Sequence, residues 1–358
     1  MPVTAPIEEL GFYTLGGQPE SPRELIAEVR LAEELGIGHA FVSERWNTKE
    51  AATLCGAVGA VSEKLKIATG ATNHNIRHPV VTASFALTMH RLTGGRFTLG
   101  LGRGVRPLQD AFGMAPVTTA QMEDFATVLR RLFRGETIVG HDGPIGRYPM
   151  LRLGSDYDDS IPLGLVAFGP ASLALAGRAY DQVVLHTFFT DETLVRCVTT
   201  VKEAAERAGR DPDTVKVWSC LATIGDHIPA EQRLRKTVGR LATYLQGYGD
   251  LMVTTNHWDP AVLTRFRDDP VVQGFHRGGL QVIDSPTTTV DQLEHIATLL
   301  PDEWLAPAAS GSPEQCVATV RRQLELGADG VILHGATPSE LAPIIHAYRS
   351  VAAPQLAR

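Results

Sequence analysis

The sequence predicts an α/β protein built as a (β/α)8 TIM barrel, with an insertion between the seventh and eighth strands. Short β-branched runs alternate with amphipathic helices, which is the pattern of a parallel sheet. The alternation repeats eight times in a chain of 358 residues, and polar or glycine residues follow the predicted strands. A doubly wound sheet is the alternative, but eight units in one chain favour closure into a single barrel domain.

The predicted elements follow from local signals. Ser21 caps the first helix, Pro22 lies in its first turn and Gly36 ends it. The predicted strands are 10–17, 38–44, 65–73, 96–104, 161–168, 182–188, 215–223 and 330–335. The predicted helices are 21–36, 49–63, 80–92, 120–133, 171–180, 192–209, 313–327 and 339–350. The region at about 230–305 breaks this alternation, and we expect it to cover the pocket and to set substrate choice.

Composition excludes several classes of function. The net charge is −7 and no basic cluster stands out, so nucleic acid is not an expected partner. No apolar run approaches the roughly 20 residues that span a bilayer, and the first residues lack the pattern of a secretion signal. We therefore expect a cytoplasmic protein without a membrane partner. The histidines and cysteines have no metal-ligand spacing, so no metal site is expected.

The stretch RFTLGLGRG, residues 96–104, raises the question of a phosphate site. Its spacing is G-x-G-x-G on the fourth strand, and Arg106-Pro107 follows instead of an immediate helix, so it does not fit a Rossmann fingerprint. Glycines at a strand end are often only turn residues. The carboxyl end of a barrel strand, however, is where barrel enzymes place their active sites.

The stretch GATNHNIRHPVVTASFALTMHRLTGGRFTLGLGRG, residues 70–104, resembles the bacterial luciferase-like superfamily. Within it, the sequence is most similar to the branch that uses the deazaflavin coenzyme F-420. AFGPASLALAGRAYD, residues 167–181, matches the family's fifth strand, turn and helix. The resemblance covers most of the chain outside 230–305 and implies the cofactor F-420, with FMN as the alternative.

The resemblance also assigns the cofactor site. It implies that Gly102–Val105 cradles a phosphate through backbone N–H groups and that Gly169–Ala171, at a helix N-terminus, completes the site. It implies a non-proline cis peptide between Gly70 and Ala71, which bulges the third strand against the flavin ring. The implied cofactor-binding residues are Ser43, Gly70, Ala71, Thr72, Asn73, Gly102, Arg103, Gly104, Val105, Gly169, Pro170 and Ala171.

The second strand ends in SERWN, where deazaflavin-dependent relatives carry Ser-Asp-His and an aromatic residue. By resemblance Glu44 contacts the ring, although a salt bridge at the barrel mouth is the alternative. Arg45 replaces the histidine, and a guanidinium hardly gives up a proton, so its expected role is to stabilise an anion or bind an acidic substrate. Asn73 and His74 are candidates for orienting substrate or moving protons.

Four residues at strand ends are expected to line the substrate pocket. They are Tyr13, Trp46, His186 and His334. Relatives that oxidise a sugar phosphate carry a glutamate at the position of Val105, so that activity is not expected here.

The resemblance therefore implies an oxidoreductase that transfers a hydride between coenzyme F-420 and a small organic substrate. A monooxygenase that uses reduced FMN is the alternative within the same fold. A barrel that binds flavin without catalysis is the third hypothesis. A homodimer is the expected assembly.

Overall fold

A computed structural model describes residues 5–16, 21–46, 48–154, 159–277 and 281–352. Eight parallel strands pair in a ring that closes on itself, which confirms the predicted TIM barrel. Gly17, at the end of the first predicted strand, and residues 278–280 of the insertion lie outside the described residues. No helix within the described ranges is both long and apolar enough to cross a bilayer.

Twelve strands are described, and eight of them form the barrel. The barrel strands are β1 (Ile7–Tyr13), β2 (Ile37–Val42), β3 (Lys66–Thr69), β5 (Phe97–Gly102), β8 (Leu163–Val166), β9 (Gln182–Val184), β10 (Lys216–Gly225) and β12 (Gly330–His334). Four short strands accompany them: β4 (Thr72–Asn73), β6 (Ile138–Gly143), β7 (Gly146–Leu151) and β11 (Ala309–Gly311).

Helices follow the barrel strands and form the outer layer. They are α1 (Leu25–Leu35), α2 (Ala51–Val61), α3 (Pro79–Leu92), α4 (Arg106–Ala111), α5 (Thr119–Phe133), α6 (Pro170–Ala179), α7 (Asp191–Arg207), α14 (Pro313–Glu325) and α15 (Pro338–Ala352). The predicted start and end of the first helix are confirmed. Ser21 caps a 3-10 turn that leads into α1, and Gly36 ends α1 with a φ of +74°.

The region 230–305 forms a helical unit with its own apolar core. Its helices are α8 (Ala230–Leu234), α9 (Arg240–Asn256), α10 (Pro260–Asp268), α11 (Pro270–Arg277), α12 (Val290–Ala297) and α13 (Asp302–Leu305). A π-helical segment, Arg235–Gly239, joins α8 to α9. Trp258 stacks on Trp304 with ring centroids 4.4 Å apart at the centre of this second core. A packed core of this kind holds α9 in place over the barrel.

The structure corrects two details of the sequence-based prediction. A short helix, α4, follows the glycine-rich strand immediately, because Pro107 has the backbone geometry that suits the first turn of a helix. Between α5 and β8, where no strand is predicted, β6 and β7 form an antiparallel hairpin in which Asp142 pairs with Arg147. Residues 155–158 lie outside the described residues.

Side chains that point into the barrel recur at every second residue of its strands. They form a compact interior cluster: Phe41, Ala68, Val184, Trp218 and Ile332. The rings of Phe41 and Trp218 lie 5.2 Å apart and fill much of the interior. The barrel is therefore a packed core below its mouth and not a pore.

Gly100 lets β5 approach the end of β3 closely. A Cβ at this position would lie 1.8 Å from the backbone oxygen of Thr69. The Thr69 hydroxyl donates to the Gly100 oxygen at 2.7 Å and accepts from the Gly100 nitrogen at 2.8 Å. This glycine of the RFTLGLGRG stretch is thus required by contact between two strands.

We expect Gly100→Ala to lower the free energy of unfolding by about 1–3 kcal/mol, because the added methyl group overpacks the β3–β5 contact. Gly56→Ala is the matched control, since a Cβ at Gly56 in α2 meets no atom within 4 Å. Alanine there favours the helix by up to about 1 kcal/mol. Urea denaturation of both variants measures the difference, and equal stabilities would contradict the predicted contact.

Candidate active site at the barrel mouth

A cavity opens at the carboxyl ends of the barrel strands. Its floor continues the inward-facing positions of the interior, because each floor residue lies two positions beyond a buried interior residue. In this way Phe41 is followed by Ser43, Ala68 by Gly70, Val184 by His186, Trp218 by Cys220 and Ile332 by His334. The structure therefore brings the predicted residues Tyr13, Ser43, Glu44, Arg45, Gly70, His186 and His334 to one cavity.

Aromatic and imidazole rings form one wall of this cavity. Tyr13 meets His334 edge to face at 5.3 Å, and Tyr244 meets His186 at 4.6 Å. The Tyr248 ring lies 5.3 Å from the His186 ring, and Tyr248 belongs to the same lining. Flat rings with polar edges suit a planar aromatic ligand.

Both histidines of this wall are uncharged at neutral pH. Burial lowers the pKa of His186 to about 4. Burial also lowers the pKa of His334, and the nearby Arg240 guanidinium adds to the shift. The Tyr244 hydroxyl lies 3.4 Å from Nε2 of His334, while Nδ1 of His334 is buried and has no partner among the described residues.

Three basic side chains, which we call the cation cluster, line the same cavity: Arg45, Lys49 and Arg240. Nε of Arg240 lies 3.1 Å from Oδ2 of Asp284, and both side chains are buried. Burial lowers the pKa of Lys49 to about 7, and the charge of Arg45 contributes to the same shift. The cavity wall is therefore electropositive.

The carboxylate of Glu44 is bound by residues of the surrounding scaffold. Oε2 accepts from Nη1 of Arg77 at 3.0 Å and from the Thr72 hydroxyl, and Oε1 accepts from the backbone nitrogen of Ala51 at 3.2 Å. Arg77 also pairs with Glu50. Both oxygens of Glu44 thus have partners within the protein, which is the salt-bridge alternative considered for this residue.

The peptide bond between Gly70 and Ala71 is cis in the structure, as the resemblance implies. The backbone oxygen of Ala71 accepts from the backbone nitrogen of Glu44 at 3.0 Å. Gly70 lines the cavity beside Tyr13, and a Cβ at Gly70 would lie 3.0 Å from the Tyr13 ring. The break between β3 and β4 therefore forms part of the cavity floor.

Arg103 ties together the two loops to which the phosphate site is assigned. Its guanidinium donates to the oxygen of Val117 at 2.6 Å and to the hydroxyl of Thr119 at 2.5 Å. The same guanidinium reaches the Ser172 hydroxyl, in the first turn of α6, at 3.3 Å. Arg103 thus holds the loop after β5 against the loop after β8 and does not itself point into open space.

Gly104 has a φ of +82°, and a Cβ there would lie 2.9 Å from the Trp46 ring. Gly102 lies against Ala71, and a Cβ at Gly102 would lie 3.1 Å from the Cβ of Ala71. At the second loop, Gly169 begins α6 without a side-chain cap, followed by Pro170 and Ala171. The backbone N–H groups of such a helix start attract an anion.

The structure does not bring Trp46, Asn73 and His74 into the cavity lining. Asn73 donates to the Gly102 oxygen at 2.8 Å and accepts from Nε1 of Trp46 at 2.9 Å, so both side chains support the glycine loop. His74 follows Asn73 directly and therefore faces the other way, toward Phe125 of α5 at 5.2 Å. Its pKa is lowered to about 4 by burial and by Arg103. The expected roles of Trp46 in the substrate pocket and of His74 in proton transfer stay predictions.

Helix α9 supplies residues that the sequence did not single out. Arg240, Tyr244 and Tyr248 line the cavity, and farther along α9 a Cβ at Gly247 would lie 3.8 Å from Val105. A Cβ at Gly169 would lie 3.8 Å from Cδ1 of Leu251. The helical spacing of Arg240, Tyr244 and Tyr248 on one face was the available signal. Lys49 was missed because the sequence placed it at the start of the predicted helix 49–63, whereas α2 begins at Ala51 and Lys49 lies before it.

Metal chemistry has no ligand set in the part of the chain that the structure describes. No group of three or more histidine, cysteine, aspartate or glutamate side chains is close enough to hold a metal ion there. The chemistry of the cavity rests on aromatic rings, basic groups and backbone donors.

We expect Arg77→Met to lower the free energy of unfolding by about 3 kcal/mol, because the Glu44 side chain is only 3% exposed and would keep its charge without a cation. Arg106→Met is the matched control, since Arg106 makes an exposed pair with Asp110 one turn away. Its loss costs less than about 1 kcal/mol. Urea denaturation tests both, and equal losses would contradict a structural role for the Glu44–Arg77 pair.

Lys49 is expected to lose its proton near pH 7, because burial and the Arg45 charge both disfavour the ammonium form. Reductive methylation with a carbon-13 label, followed by NMR titration, gives one lysine signal that moves near neutrality while ordinary exposed amines titrate near about 10.4. Lys49→Gln identifies the signal by removing it. A spectrum in which every lysine titrates above pH 9 contradicts this prediction.

A sequence model of the family described as luciferase-like monooxygenase matches residues 5–330. The chain is 25% identical over 320 residues to a 5,10-methylenetetrahydromethanopterin reductase of Methanolobus tindarius, covering 88% of this chain and 91% of that protein. It is 26% identical over 348 residues to an F-420-dependent glucose-6-phosphate dehydrogenase of Nocardia farcinica, covering 91% of each.

Similarity to a solved structure supports the same fold. The coenzyme F-420-dependent tetrahydromethanopterin reductase of Methanopyrus kandleri matches with a TM-score of 0.79 at 18% identity, covering 96% of this chain and 99% of that one. Because the family model spans most of the sequence and the barrel has the family's glycine loop and cis peptide, the chain belongs to the luciferase-like monooxygenase family.

Proposed function

We propose that this protein is an oxidoreductase that transfers a hydride between coenzyme F-420 and a small organic substrate at the barrel mouth. The similar reductase and dehydrogenase, whose alignments cover 88–91% of each chain, support the cofactor. The deazaflavin supplies the hydride chemistry when it is bound, and the protein supplies position and surroundings.

The observation that carries the proposal is the continuity between the cavity and the two glycine loops. Gly70 lies in the cavity floor, and Gly102 packs against the neighbouring Ala71. Gly102–Val105 and Gly169–Ala171 would hold the phosphate of a cofactor whose ring lies against Gly70, because backbone N–H groups suit a phosphate.

The residues around the cavity fit such a ring. Tyr13, His186 and Tyr244 provide flat walls, and the buried Nδ1 of His334 lacks a partner among the described residues. Thr72 and Asn73 act indirectly, because the Thr72 hydroxyl binds Glu44 and the Asn73 side chain binds the Gly102 loop. Ser43 lines the cavity at the end of β2 and is a candidate for direct contact.

A monooxygenase that uses reduced FMN is the second candidate, because the matching family is described by that activity. Both cofactors carry a flavin-like ring and a phosphate-bearing tail. They differ in oxygen chemistry, since a deazaflavin has carbon in place of the reactive ring nitrogen. Oxygen consumption with reduced FMN therefore separates the two functions.

The homodimer and the cytoplasmic location stay predictions.

We expect the purified protein to bind coenzyme F-420 at micromolar concentration and FMN at least about tenfold more weakly, a difference of about 1.4 kcal/mol. Arg103→Met should weaken F-420 binding by about tenfold, because the two loops lose the guanidinium that joins them. Quenching of cofactor fluorescence measures each affinity.

Arg106→Met controls for the loss of one positive charge near the same loop. It should leave the F-420 affinity unchanged at moderate salt. Preference for FMN would contradict the F-420 proposal and favour the monooxygenase. If Arg103→Met binds F-420 as tightly as the unmodified chain, the cofactor tail lies somewhere other than at these two loops.

A further inference from the structure

The cation cluster has more positive charge than the protein around it neutralises. Arg45, Lys49 and Arg240 line one cavity, although the chain as a whole has a net charge of −7. Within the described residues, the only ion pair of these three groups joins Arg240 to Asp284. The side chains of Arg45 and Lys49 have no hydrogen-bonding acceptor among those residues.

Nearby acidic groups do not remove the excess. Glu44 is adjacent to Arg45 in sequence, but Arg77 and the Thr72 hydroxyl hold its carboxylate. Glu28 interacts electrostatically with Lys49, and Asp284 does so with Arg45 as well as pairing with Arg240, so these two carboxylates offset only part of the charge of the three cations. The histidines in the lining carry no charge at neutral pH. An anion inside the cavity would therefore relieve repulsion between basic groups.

We propose that Arg45, Lys49 and Arg240 form a binding site for an oxyanionic group, a carboxylate or a phosphate, of the substrate. This inference rests on the proposed function, because it names the class of molecule that meets the cofactor in the cavity. Arg45 offers a planar fork of donors, and Lys49 offers a compact ammonium. The tyrosine and histidine rings in the same lining would receive the uncharged part of the substrate.

The cluster is distinct from the loops assigned to the cofactor phosphate. Along α9, Arg240 precedes Gly247 by seven residues, and Gly247 is the position that meets Val105 of the first loop. At about 1.5 Å per residue the two positions are roughly 10 Å apart on the helix. One anion therefore does not occupy both places.

The experiment titrates the full chain with inorganic phosphate and with malonate, by isothermal calorimetry at pH 6 and low salt, where Lys49 carries its proton. We expect Lys49→Gln and Arg45→Gln each to weaken binding of at least one probe by about tenfold or more. Lys49→Arg should restore it, because the charge returns. Lys64→Gln removes the same charge from an exposed position before β3 and should leave binding unchanged.

A parallel titration with F-420 separates this inference from the proposed function. Unchanged F-420 affinity in Lys49→Gln and Arg45→Gln, together with lost anion binding, supports a substrate site. Variants that bind both probes like the unmodified chain overturn the inference while F-420 binding still upholds the function. Equal loss of F-420 and anion binding also overturns it, because the cluster would then serve the cofactor. If the unmodified chain does not bind F-420 and the variants lose anion binding, the anion site is upheld and the proposed function is rejected.

Melting temperatures of the variants exclude unfolding as the cause of a loss. Arg45 is exposed and Lys49 is half-buried, so neither replacement opens a cavity in the core. The two positions also give independent tests, since each variant keeps the other cation. Probe binding by both folded variants at unmodified affinity is the result that rejects the site.

Discussion

The packing of Phe41 against Trp218 inside a closed ring of strands determines where the other functional residues lie. The neighbouring strands carry glycine where these rings need space. A Cβ at Gly11 would lie 2.7 Å from Phe41, and one at Gly330 would lie 2.4 Å from Trp218. Because the interior is filled at that level, the next inward positions become the floor of a cavity instead of more core.

The barrel was predictable because its signals are local and repeat with a period of two or 3.6. The cavity floor follows from the same period, as His186 and His334 show. His74 shows the limit, since a neighbour of Asn73 faces the opposite side, toward α5. The position of Tyr244 depends on how a separate helical core around Trp258 and Trp304 packs, and no local pattern contains that information.

Helix α9 connects the parts of the site that the barrel alone leaves separate. Its first half carries Arg240 and Tyr244 into the cavity, and its later residues Gly247 and Leu251 lie over the two glycine loops. A residue with non-helical geometry, Tyr248, marks the bend between those halves. The cavity wall and the packing over the two glycine loops thus depend on the same helix.

The neighbours Glu44 and Arg45 have different tasks because the chain gives them different partners. Glu44 is the residue that relatives suggest for ring contact, yet its oxygens are bound by Arg77, Thr72 and the start of α2. A carboxylate held in this way cannot neutralise the next residue. Arg45 therefore keeps its charge at the cavity wall, where Lys49 and Arg240 add to its attraction for an anion. An ion pair inside the scaffold is what makes the pocket cationic.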